Sequence, residues 1–356
     1  MTNLEDLPIR DDLRGIKPYG APQLDVPVSL NVNENTYGIP EPVALSIVEH
    51  LSQAVLGLNR YPDREFLNLR SELAHFLGQD LNQTNIWAAN GSNEILQQLF
   101  LAFGGPGRTA LSFGPTYSMY PNIARLTLTD YREVDRAEGF ELREDRVVQQ
   151  IRDHDPDIVI ICAPNNPTGT PASQELIAAA YDATSGILIV DEAYAEFSSA
   201  AGAVPMLEGR ERLVVSRTMS KAFAFAGARV GYMAADPSVV DAMRVVRLPY
   251  HLSALTQAAA LAALQHSDLM LANVEQIKIQ RDRIIEATRS WGLSPVPSDA
   301  NFVLVGGFDD PEDVFQKLLA TGVLIRNVGI PGSLRMTAGT EAETTKLLAE
   351  LSLLVG

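Results

Sequence analysis

The chain predicts an α/β fold: a large domain whose mostly parallel sheet is covered by helices, followed by a smaller α+β domain. Three observations predict it. Short apolar runs at 109–113, 157–163, 186–190, 212–216 and 228–234 are bounded by turn residues and do not alternate; strands buried on both faces have no wet side to alternate toward. Helical stretches lie between these runs, as parallel crossovers require. From about residue 250 the pattern changes to longer helical stretches followed by short strands.

Taken in order, residues 1 to about 28 are rich in Pro, Asp and Gly, lack a period and read as an arm. Phe66, Leu69, Leu73, Phe76 and Leu77 have helical spacing, with Gly78 as the stop. Ile86 to Ala89 is strand-like, and a helix begins near Asn93 and runs to Phe103. The five apolar runs then build the sheet, and the charge-rich stretch 141–157 reads as a solvated helix and loop. Beyond it, helices are expected over 253–265 and 268–290, strands near 301–305, 322–326 and 333–337, and a last helix over 341–354. The expected division is an arm at 1–28, a large domain at 29–249 and a small domain at 250–356, with the arm packing near the small domain.

Composition narrows the function. At 356 residues and 46% apolar the chain has ample core material. No run approaches the roughly 18 apolar residues of a membrane span, and residues 1–6 do not start a signal peptide, so a cytoplasmic protein is expected. A net charge of −16 argues against nucleic acid as a partner. The sole cysteine, Cys162, sits in an apolar run and reads as a core residue. The five histidines show no metal-ligand spacing, so no metal is expected.

In a chain this acidic, individual cations near strand ends stand out. Lys221 follows the run Val214-Val215-Ser216 and the hydroxyls of Thr218 and Ser220, and Arg229 comes eight residues later among small and apolar neighbours. Asn166 lies in the turn Asn165-Asn166-Pro167-Thr168-Gly169, and Asp191 ends the run 186–190, with Tyr194 three residues on. In open α/β sheets ligands sit beyond the carboxyl ends of strands, so these groups share one rim. Together they are the parts that hold pyridoxal phosphate. Lys221 is expected as the Schiff-base amine and later the proton shuttle. Asp191 pairs with the ring nitrogen, and Tyr194 and Asn166 reach the ring hydroxyl. Arg229 serves the phosphate as a bidentate donor, aided by Thr218 and Ser220. Gly91, Ser92 and Asn93 open a helix, where free N–H groups bind phosphate. Tyr117 stacks on the ring, Tyr61 reaches a phosphate, and Arg335 and Arg326 are anchors for a substrate anion, with surface salt bridges as their plainer reading.

The motifs Leu30-Asn31-Val32-Asn33-Glu34-Asn35, Arg60-Tyr61-Pro62-Asp63, Asn165-Asn166-Pro167-Thr168-Gly169, Asp191-Glu192-Ala193-Tyr194, Ser220-Lys221-Ala222-Phe223 with Arg229, and Leu334-Arg335-Met336-Thr337 cover nearly the whole length. In their order and spacing the chain resembles the fold-type I pyridoxal-phosphate aminotransferases, specifically the histidinol-phosphate aminotransferase family. Tyr19 and the segment Leu248-Pro249-Tyr250-His251-Leu252 add to the likeness. The family usually carries Pro after Asn-Glu-Asn, where this chain has Thr36. The resemblance implies a homodimer in which Tyr61 reaches the neighbour's cofactor phosphate. It implies exchange between glutamate and 2-oxoglutarate on one side and histidinol phosphate and imidazole-acetol phosphate on the other. It also implies that Arg335 and Arg326 meet the donor's carboxylate or the second substrate's phosphate, that Tyr19, Tyr117 and Tyr250 form the imidazole pocket, and that Asn33 lies near the substrate. The alternatives are an aromatic amino-acid aminotransferase of the same fold, a related lyase or decarboxylase, and, remotely, a cofactor-binding regulator without turnover.

Overall fold

The computed structural model describes residues 6–355; residues 1–5 of the expected arm and Gly356 lie outside the described residues. Seven strands form the large sheet in the spatial order Ile86–Ala89, Gly231–Ala235, Leu213–Thr218, Ile187–Asp191, Ile158–Cys162, Thr109–Gly114 and Asp130–Asp135. All neighbours are parallel except the two pairs made by Gly231–Ala235. Those two reversals cancel, so Ile86–Ala89 runs in the same direction as the parallel strands. Its carboxyl end, the carboxyl ends of the parallel strands and the amino end of Gly231–Ala235 therefore open on one edge. That edge is the rim expected from the sequence.

The apolar runs are explained by their burial. Ile158–Cys162 and Ile187–Asp191 are buried at every position. Ile158, Ile160 and Cys162 join one apolar cluster, and Val159 and Ile161 join another on the opposite face. The first cluster is filled by Leu67–Leu77, Ser92–Phe103, Pro237–Val246 and Ala254–Gln265; the second by Glu144–His154 and Gln174–Ala183. Each buried Leu or Ile contributes about 1.5–3 kcal/mol relative to exposure. The edge strand Asp130–Asp135 has no such run, because only Tyr131 and Val134 turn partly inward.

A second cluster of elements has its own core. Ser294–Pro295, Phe302–Gly306 and Leu334–Thr337 form an antiparallel sheet. Helices Val274–Ser290, Pro311–Ala320 and Glu341–Val355 pack with it. Val28–Ser29 pairs in parallel with Val323–Leu324, and the Leu30 N–H donates to the Leu324 carbonyl at 2.7 Å. Residues 28–30 are thus stitched into the second unit.

Two boundaries differ from the expectation. Ala254–Gln265 packs in the large core through Ala259, Ala260 and Ala263, so the change of core falls later than 249/250, between Met270 and Val274. The helix expected over 268–290 is broken at the same place into Ser267–Leu271 and Val274–Ser290, which lets the chain turn one apolar face to each core. At the other end Leu30, expected in the large domain, belongs to the second core, beside Val28 of the arm.

Candidate active site

The rim encloses a cavity of about 480 Å³. Asp191, the last residue of its strand, forms part of the floor and is 2% exposed. One carboxylate oxygen, Oδ2, accepts from the Tyr120 hydroxyl at 2.7 Å. The other, Oδ1, is buried and has no hydrogen-bond partner among the described residues. Leaving such an oxygen unpaired costs roughly 1–3 kcal/mol or more, so it calls for a donor from the cavity. Burial holds the Asp191 pKa up at about 6.

Lys221 enters from the turn after Leu213–Thr218, and its Nζ donates to the Val32 carbonyl at 3.0 Å. Burial, and then the positive charge of Arg335, lower its pKa to about 8. Thr218 Oγ1 donates to Ser220 Oγ at 3.0 Å and receives the Ser220 N–H at 3.1 Å, which fixes the turn. Beside it Arg229 holds a left-handed backbone, φ 56°, and its guanidinium lies against Gly91. A Cβ at Gly91 would sit 2.6 Å from Arg229 Nη2, and Gly91 itself has φ 85°. Gly231 is equally constrained, since a Cβ there would collide with the Ser92 N–H. The helix opening at Ser92 can approach the rim only because both positions are glycine.

On the opposite wall Asn166 Oδ1 accepts from Arg335 Nη1 at 2.6 Å, and Arg335 Nη2 donates to the Asn31 carbonyl at 2.7 Å. Arg335 is buried with no carboxylate partner among the described residues, and burial lowers its pKa to about 10. The salt-bridge reading of Arg335 therefore fails: its guanidinium is held by neutral acceptors, and Nε is unpartnered among the described residues. Tyr194 and Asn33 are hydrogen-bonded to each other at 2.9 Å. Tyr117 donates to Asn93 at 3.2 Å and meets Tyr120 edge-on. Tyr19 and Arg326 line the mouth.

The structure thus brings Tyr19, Asn33, Ser92, Asn93, Tyr117, Asn166, Asp191, Tyr194, Thr218, Ser220, Lys221, Arg229, Arg326 and Arg335 to one cavity, with Gly91 directly behind. It does not bring Tyr61 or Tyr250 there. Tyr61 is 79% exposed and stacks on Tyr250, with ring centroids 4.4 Å apart. Tyr250 is accordingly not a wall of the imidazole pocket within its own chain. Tyr120 went unread in the sequence; its place three residues after Tyr117 was the available signal. Cys162, in register with Asp191, lines the floor, and burial pushes its thiol up to about 12.

Frame and site together define an aminotransferase. The family of aminotransferases of class I and II matches residues 26–351. The chain is 57% identical over 360 residues to the histidinol-phosphate aminotransferase of Paenarthrobacter aurescens (strain TC1), covering 100% of this chain and 97% of that one. It is 50% identical over 343 residues to that of Thermobifida fusca (strain YX), covering 96% and 94%. The crystal structure of histidinol-phosphate aminotransferase from Sinorhizobium meliloti in complex with pyridoxal-5'-phosphate superposes with a TM-score of 0.84 at 25% identity, over 93% of this chain and 91% of that one. This chain belongs to the histidinol-phosphate aminotransferase family of class I and II aminotransferases.

Proposed function

We propose that the protein is a histidinol-phosphate aminotransferase of L-histidine biosynthesis, exchanging an amino group between histidinol phosphate and 2-oxoglutarate with pyridoxal 5'-phosphate as cofactor. The observation that carries the chemistry is one cavity joining a desolvated amine, Lys221, to a buried carboxylate with an unpaired oxygen, Asp191. The kinship at 57% identity over the whole chain carries the substrate.

The residues fit the cofactor. The unpaired Oδ1 of Asp191 is suited to the protonated ring nitrogen. Ser92 and Asn93 at a helix start, with Thr218, Ser220 and Arg229, offer donors to a phosphate. Tyr117 is available to stack on the ring, and Tyr194 and Asn166 to meet its hydroxyl. When bound, the cofactor supplies the electron sink that lets the substrate Cα–H bond break. Lys221 Nζ would be the base that takes up the substrate Cα proton and later gives it back. Arg335 orients the anionic end of each substrate in a pocket where water cannot screen the charge. Arg335→Ala is expected to raise KM for glutamate about a hundredfold while kcat falls less, because a desolvated charge-assisted contact contributes about 2–5 kcal/mol. Steady-state kinetics in both directions test both points: from histidinol phosphate and 2-oxoglutarate, glutamate forms only with both present, and from glutamate and imidazole-acetol phosphate, an unchanged glutamate KM in the variant contradicts the role of Arg335.

The reading includes a cytoplasmic homodimer. No described helix is long and apolar enough to cross a membrane. Helix Glu41–Leu56 buries Val43 but leaves Leu45, Val48, Val55 and Leu56 exposed. That outer stripe, with exposed Tyr61, Val245 and Leu248, supports a second copy of the chain as its cover, with Tyr61 serving the neighbour's cavity. Leu45→Asp combined with Val48→Asp is expected to yield monomers that retain cofactor poorly. Light scattering that still gives a dimer, with unchanged cofactor retention, contradicts this interface.

A further inference from the structure

We propose that Asn33 and Thr337 are positioning residues that aim the Tyr194 hydroxyl proton into the cavity, so that the second unit of the fold sets how strongly the cofactor's ring oxygen is hydrogen-bonded. This rests on the cofactor reading above. The Tyr194 oxygen receives two N–H donors, Asn33 Nδ2 at 2.9 Å and Asn166 Nδ2 at 3.4 Å. With both taken, its acceptor capacity is used and its own proton is left for the cavity.

Each donor is oriented from behind. Asn166 cannot turn its amide, because its oxygen is held by Arg335 Nη1 at 2.6 Å. Asn33 is held by Thr337: the Asn33 backbone N–H donates to Thr337 Oγ1 at 3.2 Å, and Thr337 Oγ1 donates to Asn33 Oδ1 at 3.0 Å. That exchange spends the amide oxygen on Thr337 and turns the NH₂ to Tyr194. The Asn33 carbonyl is tied in turn to Asn301 Nδ2 at 3.1 Å. Asn33 has φ 57°, a conformation Asn and Asp tolerate better than other non-glycine residues. The Tyr194 ring meets Phe302 edge-on at 5.1 Å. Thr337, Asn301 and Phe302 all belong to the second unit, whose strands Phe302–Gly306 and Leu334–Thr337 pair. Burial keeps the Tyr194 hydroxyl protonated well above the ordinary phenol range, so it has a proton to direct.

The test is a pH titration of the visible absorbance of the cofactor-loaded protein in the wild type and in Tyr194→Phe, Thr337→Val, Thr337→Ser and Asn33→Asp. Loss of a donor to the ring oxygen raises the midpoint, by roughly one pH unit or more for a charge-assisted bond. Tyr194→Phe is expected to show that full shift. Asn33→Asp is expected to match or exceed it, since a carboxylate would recapture the phenol proton. Thr337→Val adds no charge, so its smaller upward shift isolates orientation, and Thr337→Ser is expected to restore the wild-type midpoint. If Tyr194→Phe shifts while Thr337→Val and Asn33→Asp stay at the wild-type midpoint, the positioning role is overturned and the cofactor reading stands. If the wild type develops no visible band with cofactor, the cofactor reading is overturned and this inference goes with it.

Discussion

Lys221→Ala is expected to abolish the visible absorbance of the cofactor-loaded protein and to lower turnover by about four orders of magnitude or more; general-base catalysis alone is worth about 10²–10⁴. Lys221 is the only primary amine among the described residues that line the cavity, so no neighbour replaces it. Its Nζ makes one hydrogen bond, to the Val32 carbonyl, and removing a desolvated ammonium leaves no charge unpaired. The variant is therefore expected to melt at or above the wild-type temperature, which separates a chemical defect from unfolding. Lys221→Arg should fail equally, because a guanidinium is not deprotonated at any working pH. Attack on the cofactor needs the free amine. With the Lys221 pKa lowered to about 8, the free form grows as pH rises through about 8, and cofactor loading should accelerate over that interval and level off above it. A loading profile that keeps rising toward pH 10 would mean that the amine is not desolvated.

Asp191→Asn should keep some cofactor and lose about two to four orders of magnitude in kcat. Breaking one partner of a buried charge pair costs about 3–5 kcal/mol, and here the loss falls on the step that needs the protonated ring nitrogen. A neutral amide cannot hold that proton in place. The Tyr120 hydroxyl, which now donates to Oδ2 at 2.7 Å, can still donate to the amide oxygen, so the fold is expected to survive. The wild type gives a matching pH signature. The Asp191 pKa is held at about 6 by burial, above the usual carboxylate value, so the carboxylate is present above about pH 6 and protonates as pH falls through it. Cofactor affinity of the unloaded protein should therefore weaken below about pH 6. Asp191→Asn with the wild-type kcat would remove the carboxylate from the mechanism.

Much of the site was legible in the sequence, for a physical reason. Asp191, Asn166 and Lys221 each come within five residues of the end of an apolar run, and parallel strands bring their carboxyl ends to one edge whatever the details of packing. Arg229 announced itself as a charge among small and apolar residues. What escaped was made of contacts between distant segments. Tyr120 reaches Asp191 across 71 positions, and Asn33 reaches Thr337 across 304. Neither pair leaves a local pattern. Residues 29 and 30 look like the start of the large domain, yet Ser29 pairs with Leu324 and the Leu30 N–H donates to the Leu324 carbonyl. The edge strand Asp130–Asp135 shows five polar or charged residues in six if Tyr131 is counted with them, so a search for apolar runs passes over it. Tyr61 and Tyr250 mark the other limit. Within this chain they stack on each other in the open, outside the cavity, and no local pattern in the sequence shows that.

The most direct measurement is the amine half-reaction. Protein loaded with cofactor, without any keto acid, is mixed in separate runs with histidinol phosphate and with phenylalanine, and the loss of visible absorbance is followed. Arg335 and Arg326 flank a cavity with Tyr19 and Tyr117, a combination suited to an anion joined to an aromatic ring. Phenylalanine also joins an anion to an aromatic ring, so the preference rests on the kinship at 57% identity: histidinol phosphate is expected to react more efficiently by about a hundredfold. Preference for phenylalanine would contradict the assignment and make the protein an aromatic amino-acid aminotransferase on the same cofactor site.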